Sequence, residues 1–97
     1  MTLTKTTYRS TTQIMADLLV ATDESGLQGI KTTSLLTKVN LSHGRLQKFI
    51  ATLTGSGLIN SIEYDGRNTF VITEKGRLFA SEYHRFQELT SSFGLDL

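Results

Sequence analysis

The stretch that decides the fold is residues 31–59, KTTSLLTKVNLSHGRLQKFIATLTGSGLI. It predicts two short helices, the first capped by Thr32 or Thr33 and turning Leu35, Leu36 and Val39 inward. Asn40 to Ser42 interrupt the helical pattern, and Ser42 is a favourable N-cap for the second helix. The apolar residues of that helix share one face and are Leu46, Phe49, Ile50 and Leu53. Two consecutive helices joined by a turn of about three residues form a helix-turn-helix.

The flanking residues add a helix on one side and a hairpin with a further helix on the other. Ser10 and Gln13 have the spacing of a capping box, and the apolar pattern that follows predicts a helix to about Ala21. A loop over 22–29 and a brief strand at Ile30 follow. Residues 58–64 and 69–72 are rich in β-branched and aromatic residues, so they predict two strands around a turn at 65–68, DGRN. Thr73 is placed to cap a last helix that reaches about Ser92, roughly 30 Å long.

This order of elements predicts a winged helix-turn-helix fold with an extended C-terminal helix, mainly α with a small β-hairpin (α+β). The 97 residues fit one domain. We therefore expect a single winged-helix domain over residues 1–97. Its parts are a flexible N-terminus at 1–9, a winged-helix core at 10–72, a C-terminal helix at 73–92 and a tail at 93–97.

Charge is distributed unevenly along the chain, although the net charge is only +1. No acidic residue occurs from Ser25 to Ile62, a segment that holds Lys31, Lys38, Arg45 and Lys48; it carries +4 and the remainder −3, which sum to +1. A basic segment of this kind favours a face that contacts a polyanion. The alternative is a solvated surface that happens to lack acids.

The exposed face of the third predicted helix has the chemistry of a recognition helix. At 100° per residue, Gly44 and Lys48 lie opposite the apolar face, and Arg45 and Gln47 lie on its edges. Arginine can bind guanine, glutamine can bind adenine, and lysine suits a phosphate. The side chains expected to contact DNA are Lys31, Thr33, Lys38, Ser42, His43, Gly44, Arg45, Gln47, Lys48 and Arg67.

Four of these residues have an alternative explanation. Glycine within a helix costs about 1 kcal/mol relative to alanine, so Gly44 predicts a close approach of the backbone to DNA; a frayed first turn would also tolerate it. Arg67 lies at the tip of the predicted wing, where it can reach a phosphate or the minor groove. Glu63 and Asp65 weaken the positive field there, and a surface arginine in a turn is the alternative. Lys31 and Lys38 at the ends of the second helix can likewise be solubilising charges.

The last helix carries more apolar residues than one small domain needs. Leu78 and Phe79 are expected to close the domain's own core, and the residues further along extend beyond it. Exposed apolar surface usually marks a partner, most simply a second copy of the chain. The expected dimerisation residues are Phe79, Tyr83, Phe86, Leu89 and Phe93. The alternative is that the helix folds back on its own domain.

Composition argues against several other classes of protein. The chain has no cysteine, which excludes disulfides and thiolate metal sites. It has no phosphate-binding loop, nucleophile elbow or zinc-protease motif, and His43 and His84 have no close-spaced ligand partner. We therefore expect no catalytic residue, cofactor, metal or small-molecule ligand. No apolar run is long enough to span a bilayer and residues 1–12 lack a signal peptide's apolar block, so a cytoplasmic, nucleoid-associated location without a membrane partner is expected.

Residues 31–59 resemble the archaeal winged-helix family of predicted, ArnR-like transcriptional regulators. Residues 70–89, FVITEKGRLFASEYHRFQEL, are similar to the family's second signature around its Thr-Glu-Lys-Gly motif, and Tyr8-Arg9-Ser10 also agrees. The resemblance implies a dimeric DNA-binding protein, and the family includes small chromatin-type members whose last helices pair as an antiparallel coiled coil. The chain departs from the family in three ways: His43 stands where tyrosine is usual, the last helix is shorter than in the chromatin-type members, and the wing is short and singly basic.

The sequence therefore favours a homodimeric winged-helix transcriptional regulator that binds double-stranded DNA sequence-specifically. Its third helix would enter the major groove, and two copies would bind half-sites about one helical turn apart. A nucleoid-type protein that coats DNA with little sequence preference is one alternative. A winged-helix protein–protein interaction module is another. The acid-free segment argues against the last, because a protein-binding face has no need to exclude Asp and Glu.

Overall fold

The computed structural model describes residues 9–95. The flexible N-terminus expected at 1–9 lies outside these residues except for Arg9. Along the described residues the elements are α1 (Thr11–Glu24), a 3₁₀ turn (Gly26–Gln28), α2 (Thr32–Val39), α3 (His43–Gly55), β1 (Ile59–Tyr64), β2 (Arg67–Ile72) and α4 (Glu74–Ser92). Helix, helix-turn-helix, hairpin and long helix thus follow one another as predicted, and the winged helix-turn-helix fold is confirmed.

Three of the predicted helix caps are present. The hydroxyls of Ser10, Ser42 and Thr73 accept hydrogen bonds from backbone N–H groups in the first turns of α1, α3 and α4. The predicted cap of α2 is wrong, because Thr32 and Thr33 lie inside the helix and Lys31 is its N-cap residue, without a side-chain cap. Lys31 has extended backbone because it follows Ile30, which pairs with a strand, so α2 begins as soon as that pairing ends.

Helix α1 is longer than predicted and ends at Glu24 instead of Ala21. Thr22 is buried within it, and its hydroxyl donates to the Leu18 carbonyl at 2.7 Å. A buried hydroxyl that is satisfied inside its own helix does not end that helix. The polar segment predicted as a loop over residues 22–29 is therefore helical as far as Glu24, and the loop is shorter than predicted.

The wing is a two-stranded antiparallel hairpin with Ile59 opposite Ile72 and Tyr64 opposite Arg67. Its turn is Asp65-Gly66 alone, with φ of 55° and 76°, so it is two residues long instead of the four predicted. Asp and Gly suit a tight hairpin turn because both tolerate positive φ. Ile30, where a brief strand is predicted, forms an isolated β-bridge instead: Ile30 and Phe70 exchange two backbone hydrogen bonds of 2.9 Å.

The core lies between α1, α2, α3 and the base of the wing. Its most deeply buried large side chains are Leu18, Leu19, Leu35, Leu46, Leu53 and Ile59. Phe79 of α4 packs against this core, as predicted, but Leu78 is 61% exposed and the prediction that it closes the core is wrong.

The orientation of α4 explains the exposure of Leu78. Gly76, Ala80 and Thr90 form its buried stripe. A Cβ on Gly76 would collide with the Leu58 carbonyl oxygen and lie 2.8 Å from Ile72 Cγ1, so the first turn of α4 rests directly on the base of the wing. Residues two positions from Gly76 then face away from the core.

No helix within residues 9–95 combines the length and apolar character needed to cross a membrane.

Candidate nucleic-acid interface

Helix α3 presents a polar face whose rotation is fixed by packing. Leu46, Ile50 and Leu53 are buried, so the opposite side of the helix faces solvent. All of the candidates between Ser42 and Lys48 are exposed: Ser42, His43, Gly44, Arg45, Gln47 and Lys48. The helix contains no acidic residue, so these donors meet no carboxylate within their own element. The arrangement leaves hydrogen-bond donors and two positive charges on one accessible helix face.

Arg45 is held beside this face by an aromatic ring. Its guanidinium carbon lies 5.8 Å from the centroid of the Phe49 ring, which is half-buried against the core. A cation–π contact at an exposed site contributes about 0.5–1 kcal/mol, enough to favour one orientation of a long side chain. The sequence predicted Phe49 as core only; its second role could have been foreseen from the four-residue spacing between Arg45 and Phe49.

His43 lies on the surface and not in the core. Its Nε2 is 3.5 Å from the Gln47 amide nitrogen, one helical turn further on. Both side chains therefore occupy the N-terminal half of α3, the half that contacts base edges in helix-turn-helix proteins. His43 is solvent-exposed, so it does not contribute to the core.

Gly44 has no packing requirement inside the protein. A Cβ at this position would meet no atom within 4 Å. Packing within the chain therefore does not explain the glycine, and the predicted close approach to DNA stays a prediction. Lys48 lies one turn further along the same exposed side, and no ion pair joins it to another residue within 9–95.

The structure brings Lys31 and Arg67 together, which the sequence did not predict. Both are exposed, and both line a cleft of about 220 Å³ at the junction of the wing with the segment before α2. Tyr64 and Asp65 line the same cleft, and neither was a candidate. Pairing between residues about 40 positions apart creates this site, so no local pattern in the sequence signals it. Thr33, a further candidate, is exposed in the first turn of α2.

Lys38 has a different environment from the other candidates. Its ammonium lies 3.8 Å from a Glu24 carboxylate oxygen, and it lines a groove with Asp17 and His84. Its neighbours in that groove belong to α1, α2 and α4, not to α3. The structure thus does not bring Lys38 together with the exposed face of α3, and its contact with DNA stays a prediction.

Helix α4 and its C-cap residue Phe93 carry an apolar surface on the outer side of the helix. Leu78, Phe86, Leu89 and Phe93 are 61%, 51%, 54% and 73% exposed. We call these four residues the α4 stripe. Phe79 and Tyr83 of the expected dimer interface are instead half-buried, and Phe79 packs against the chain's own core. The apolar residues predicted as one broad stripe therefore divide between two faces of α4.

Within residues 9–95 no group of His, Asp and Glu side chains is placed to hold a metal ion.

Comparison with known proteins agrees with this architecture. A family model described as winged helix-turn-helix matches residues 8–91. Sso10a-2, a DNA-binding protein from Sulfolobus solfataricus, has a similar structure with a TM-score of 0.72 and 24% identity, over 88% of this chain and 85% of that one. SSV1 F-93 is similar with a TM-score of 0.61 and 25% identity, over 82% of this chain and 91% of that one.

A more distant structural likeness extends to a bacterial regulator. The M. tuberculosis transcriptional regulator MosR has a TM-score of 0.61 and 18% identity, and the match covers 87% of this chain and 63% of that one. Among curated proteins no similar sequence is found. The family match spans nearly all of the described residues, and the observed order of elements agrees with it. The chain therefore belongs to the winged helix-turn-helix family.

Proposed function

We propose that the chain binds double-stranded DNA as a homodimeric transcriptional regulator, with α3 in the major groove. One observation carries the proposal: His43, Arg45, Gln47 and Lys48 are all exposed on an acid-free helix of a helix-turn-helix. The major groove of DNA presents base acceptors between two rows of phosphates, so a helix that enters it needs donors and positive charge. The exposed face of α3 meets that requirement.

The side chains of α3 divide between base and phosphate contacts. Arg45, steadied by Phe49, is suited to a guanine, and Gln47 to an adenine. Lys48, a point charge on a flexible stem, is suited to a phosphate. Gly44 would allow the first turn of α3 to approach the bases, because no side chain stands there.

The described activities of two structurally similar proteins support the proposal. Sso10a-2 is described as a DNA-binding protein, and MosR as a transcriptional regulator. The fold that they share with this chain accommodates a helix in the major groove. Relatives of this kind support DNA binding as the general activity, and the exposed donors of α3 support it for this chain.

The α4 stripe supports a homodimer. Four large apolar side chains at more than half exposure lie along one side of a helix whose other side packs on the core. In a closed dimer the same surface of each copy faces its partner. Two copies joined in this way would present two α3 helices to DNA, with half-sites about one helical turn apart.

Selection of bound duplexes from a random pool tests the proposed function. A palindromic motif is the expected result, because a symmetric dimer binds two equivalent half-sites. Binding without any enriched motif would instead indicate a protein that coats DNA. If no duplex is retained at about 50 mM salt, where even non-specific binding is strong, a protein–protein interaction module is indicated and the proposal is wrong.

A further inference from the structure

The outer face of the wing places two cations side by side. Tyr64 lies opposite Arg67 in the hairpin, and Ile30 lies opposite Phe70 on the other side of β2. Extending the antiparallel register by one residue places Lys31 opposite Thr69, two positions from Arg67. Residues directly opposite, and residues two apart on one strand, share a face of a sheet. Lys31, Tyr64 and Arg67 therefore lie on the face opposite to that of buried Ile30.

This geometry suits an anion between Lys31 and Arg67. Diagonal neighbours on a sheet are about 7–8 Å apart at the backbone, within reach of long side chains. Two cations at that separation gain nothing from each other, and neither has an ion-pair partner among residues 9–95. They line one cleft of about 220 Å³ together with Tyr64, whose hydroxyl can donate a hydrogen bond.

The backbone that carries these side chains is held in place. The Thr69 hydroxyl donates to the Gln28 carbonyl at 2.7 Å, and Ile30 and Phe70 exchange hydrogen bonds of 2.9 Å. These contacts join the wing to the residues directly before Lys31. The two cations are thus brought together before any ligand binds, which lowers the entropic cost of binding.

We infer that Lys31 and Arg67 hold one and the same phosphate of the DNA backbone, with Tyr64 as a further donor. The inference rests on the DNA binding proposed above and adds to it a specific site, which we call the wing cleft (Lys31, Tyr64, Asp65 and Arg67). Asp65 lines the cleft as well, so the charges of Lys31, Arg67 and Asp65 sum to +1. That balance is sufficient for one phosphodiester charge.

The salt dependence of DNA binding distinguishes one shared phosphate from two separate ones. Each phosphate contact contributes about 0.9 to the slope of log K against log salt. In the Lys31→Ala/Arg67→Ala double variant we expect the magnitude of the slope to fall by about 0.9 from that of the parent. In each single variant the slope should fall by no more than about 0.9. Two independent phosphates would give a loss of about 1.8 in the double variant, and this result, or no loss at all, would overturn the inference.

Two further variants act as controls. Lys38→Ala removes a lysine at the other end of α2 from Lys31, one that pairs with Glu24 and does not line the wing cleft, so a smaller change of slope is expected. Asn tolerates the left-handed φ of 55° as Asp does, so Asp65→Asn removes a carboxylate that lines the cleft and leaves the turn unstrained. It should tighten binding roughly twofold to threefold at low salt, the effect of one charge about 8 Å away in water.

Failure of the inference and failure of DNA binding are distinguishable in this series. Unchanged or weaker binding by Asp65→Asn would show that the carboxylate does not face a phosphate, and would contradict the shared site while the parent still binds. If the parent itself binds no duplex, the proposed function is wrong. Thermal unfolding monitored by circular dichroism checks that the variants remain folded, which we expect because all of the altered side chains are exposed.

Discussion

At the scale of single residues, the burial of Leu46 and Ile50 decides which side chains of α3 reach solvent. The side chains exposed to solvent because their positions lie away from that buried side include Arg45, Gln47 and Lys48. Among them Arg45 is the one with a defined support, the ring of Phe49. A supported guanidinium loses less conformational freedom on binding than an unsupported ammonium does, so Arg45 is better placed to discriminate between bases and Lys48 to add affinity.

The first prediction separates these two roles. Lys48→Ala should weaken binding to all duplexes by a similar factor and reduce the salt slope by about 0.9, since a phosphate carries no sequence information. Arg45→Ala should cost about 1–3 kcal/mol on the preferred duplex and relax the preference at one base pair. Fluorescence anisotropy with preferred and random duplexes measures both. Parent-like binding by both variants would show that α3 is not the DNA-contacting helix.

A second prediction concerns Gly44. Gly44→Ala should stabilise the protein by up to about 1 kcal/mol, because alanine is the better helix former and the added Cβ meets nothing. The same change should weaken DNA binding if the backbone approaches the bases here. Gly55→Ala, at the other end of α3 and equally open, is the matched control and should leave binding unchanged. Unchanged binding by Gly44→Ala would indicate that the backbone does not approach DNA here and that glycine is merely tolerated in a frayed first turn.

At the scale of elements, local signals predicted most of the fold. Ser10, Ser42 and Thr73 cap the helices that they were expected to cap, because an N-cap is a contact between residues three apart. The failures were long-range: the start of α2 depends on the pairing of Ile30 with β2, and the rotation of α4 depends on Gly76 against the wing. The wing cleft is of the same kind, whereas the exposed face of α3 follows from helical periodicity alone.

A third prediction tests how α4 docks. Gly76→Ala should destabilise the protein by about 1–3 kcal/mol, since its Cβ would collide with the backbone of Leu58 and α4 or the wing must move. In a domain of this size that lowers the melting temperature by at least several degrees. Ser81→Ala, exposed on the same helix, is the control and should not lower it. An unchanged melting temperature for Gly76→Ala would contradict the close contact between α4 and the wing.

At the scale of the whole molecule, α4 is a helix with two apolar faces. One face, with Gly76, Ala80 and Thr90, packs against the domain, and the α4 stripe remains exposed. The described residues form an elongated body of 49 × 26 × 21 Å. The sequence indicated an apolar excess on this helix but not its division between faces, because that division depends on how Gly76 seats the first turn.

The fourth prediction is that the α4 stripe joins two copies. Leu89→Lys should produce a monomer at tens of micromolar protein, because a buried lysine in an apolar interface costs several kcal/mol. Leu27→Lys is the matched control: Leu27 is 90% exposed and lies outside α4, so this variant should remain dimeric. Sedimentation velocity at two concentrations reports the oligomeric state. A monomeric parent would contradict the dimer, and a dimeric Leu89→Lys variant would place the interface elsewhere.

DNA binding through α3 is tested most directly by titrating a labelled duplex with the chain from about 50 to 200 mM salt. We expect saturable binding whose log K falls linearly with log salt, as several phosphate contacts require. We also expect the Arg45→Ala/Lys48→Ala double variant to bind far more weakly at every salt concentration. Absence of binding by the parent at 50 mM salt, or equal binding by the double variant, would contradict the assignment of α3 as the recognition helix.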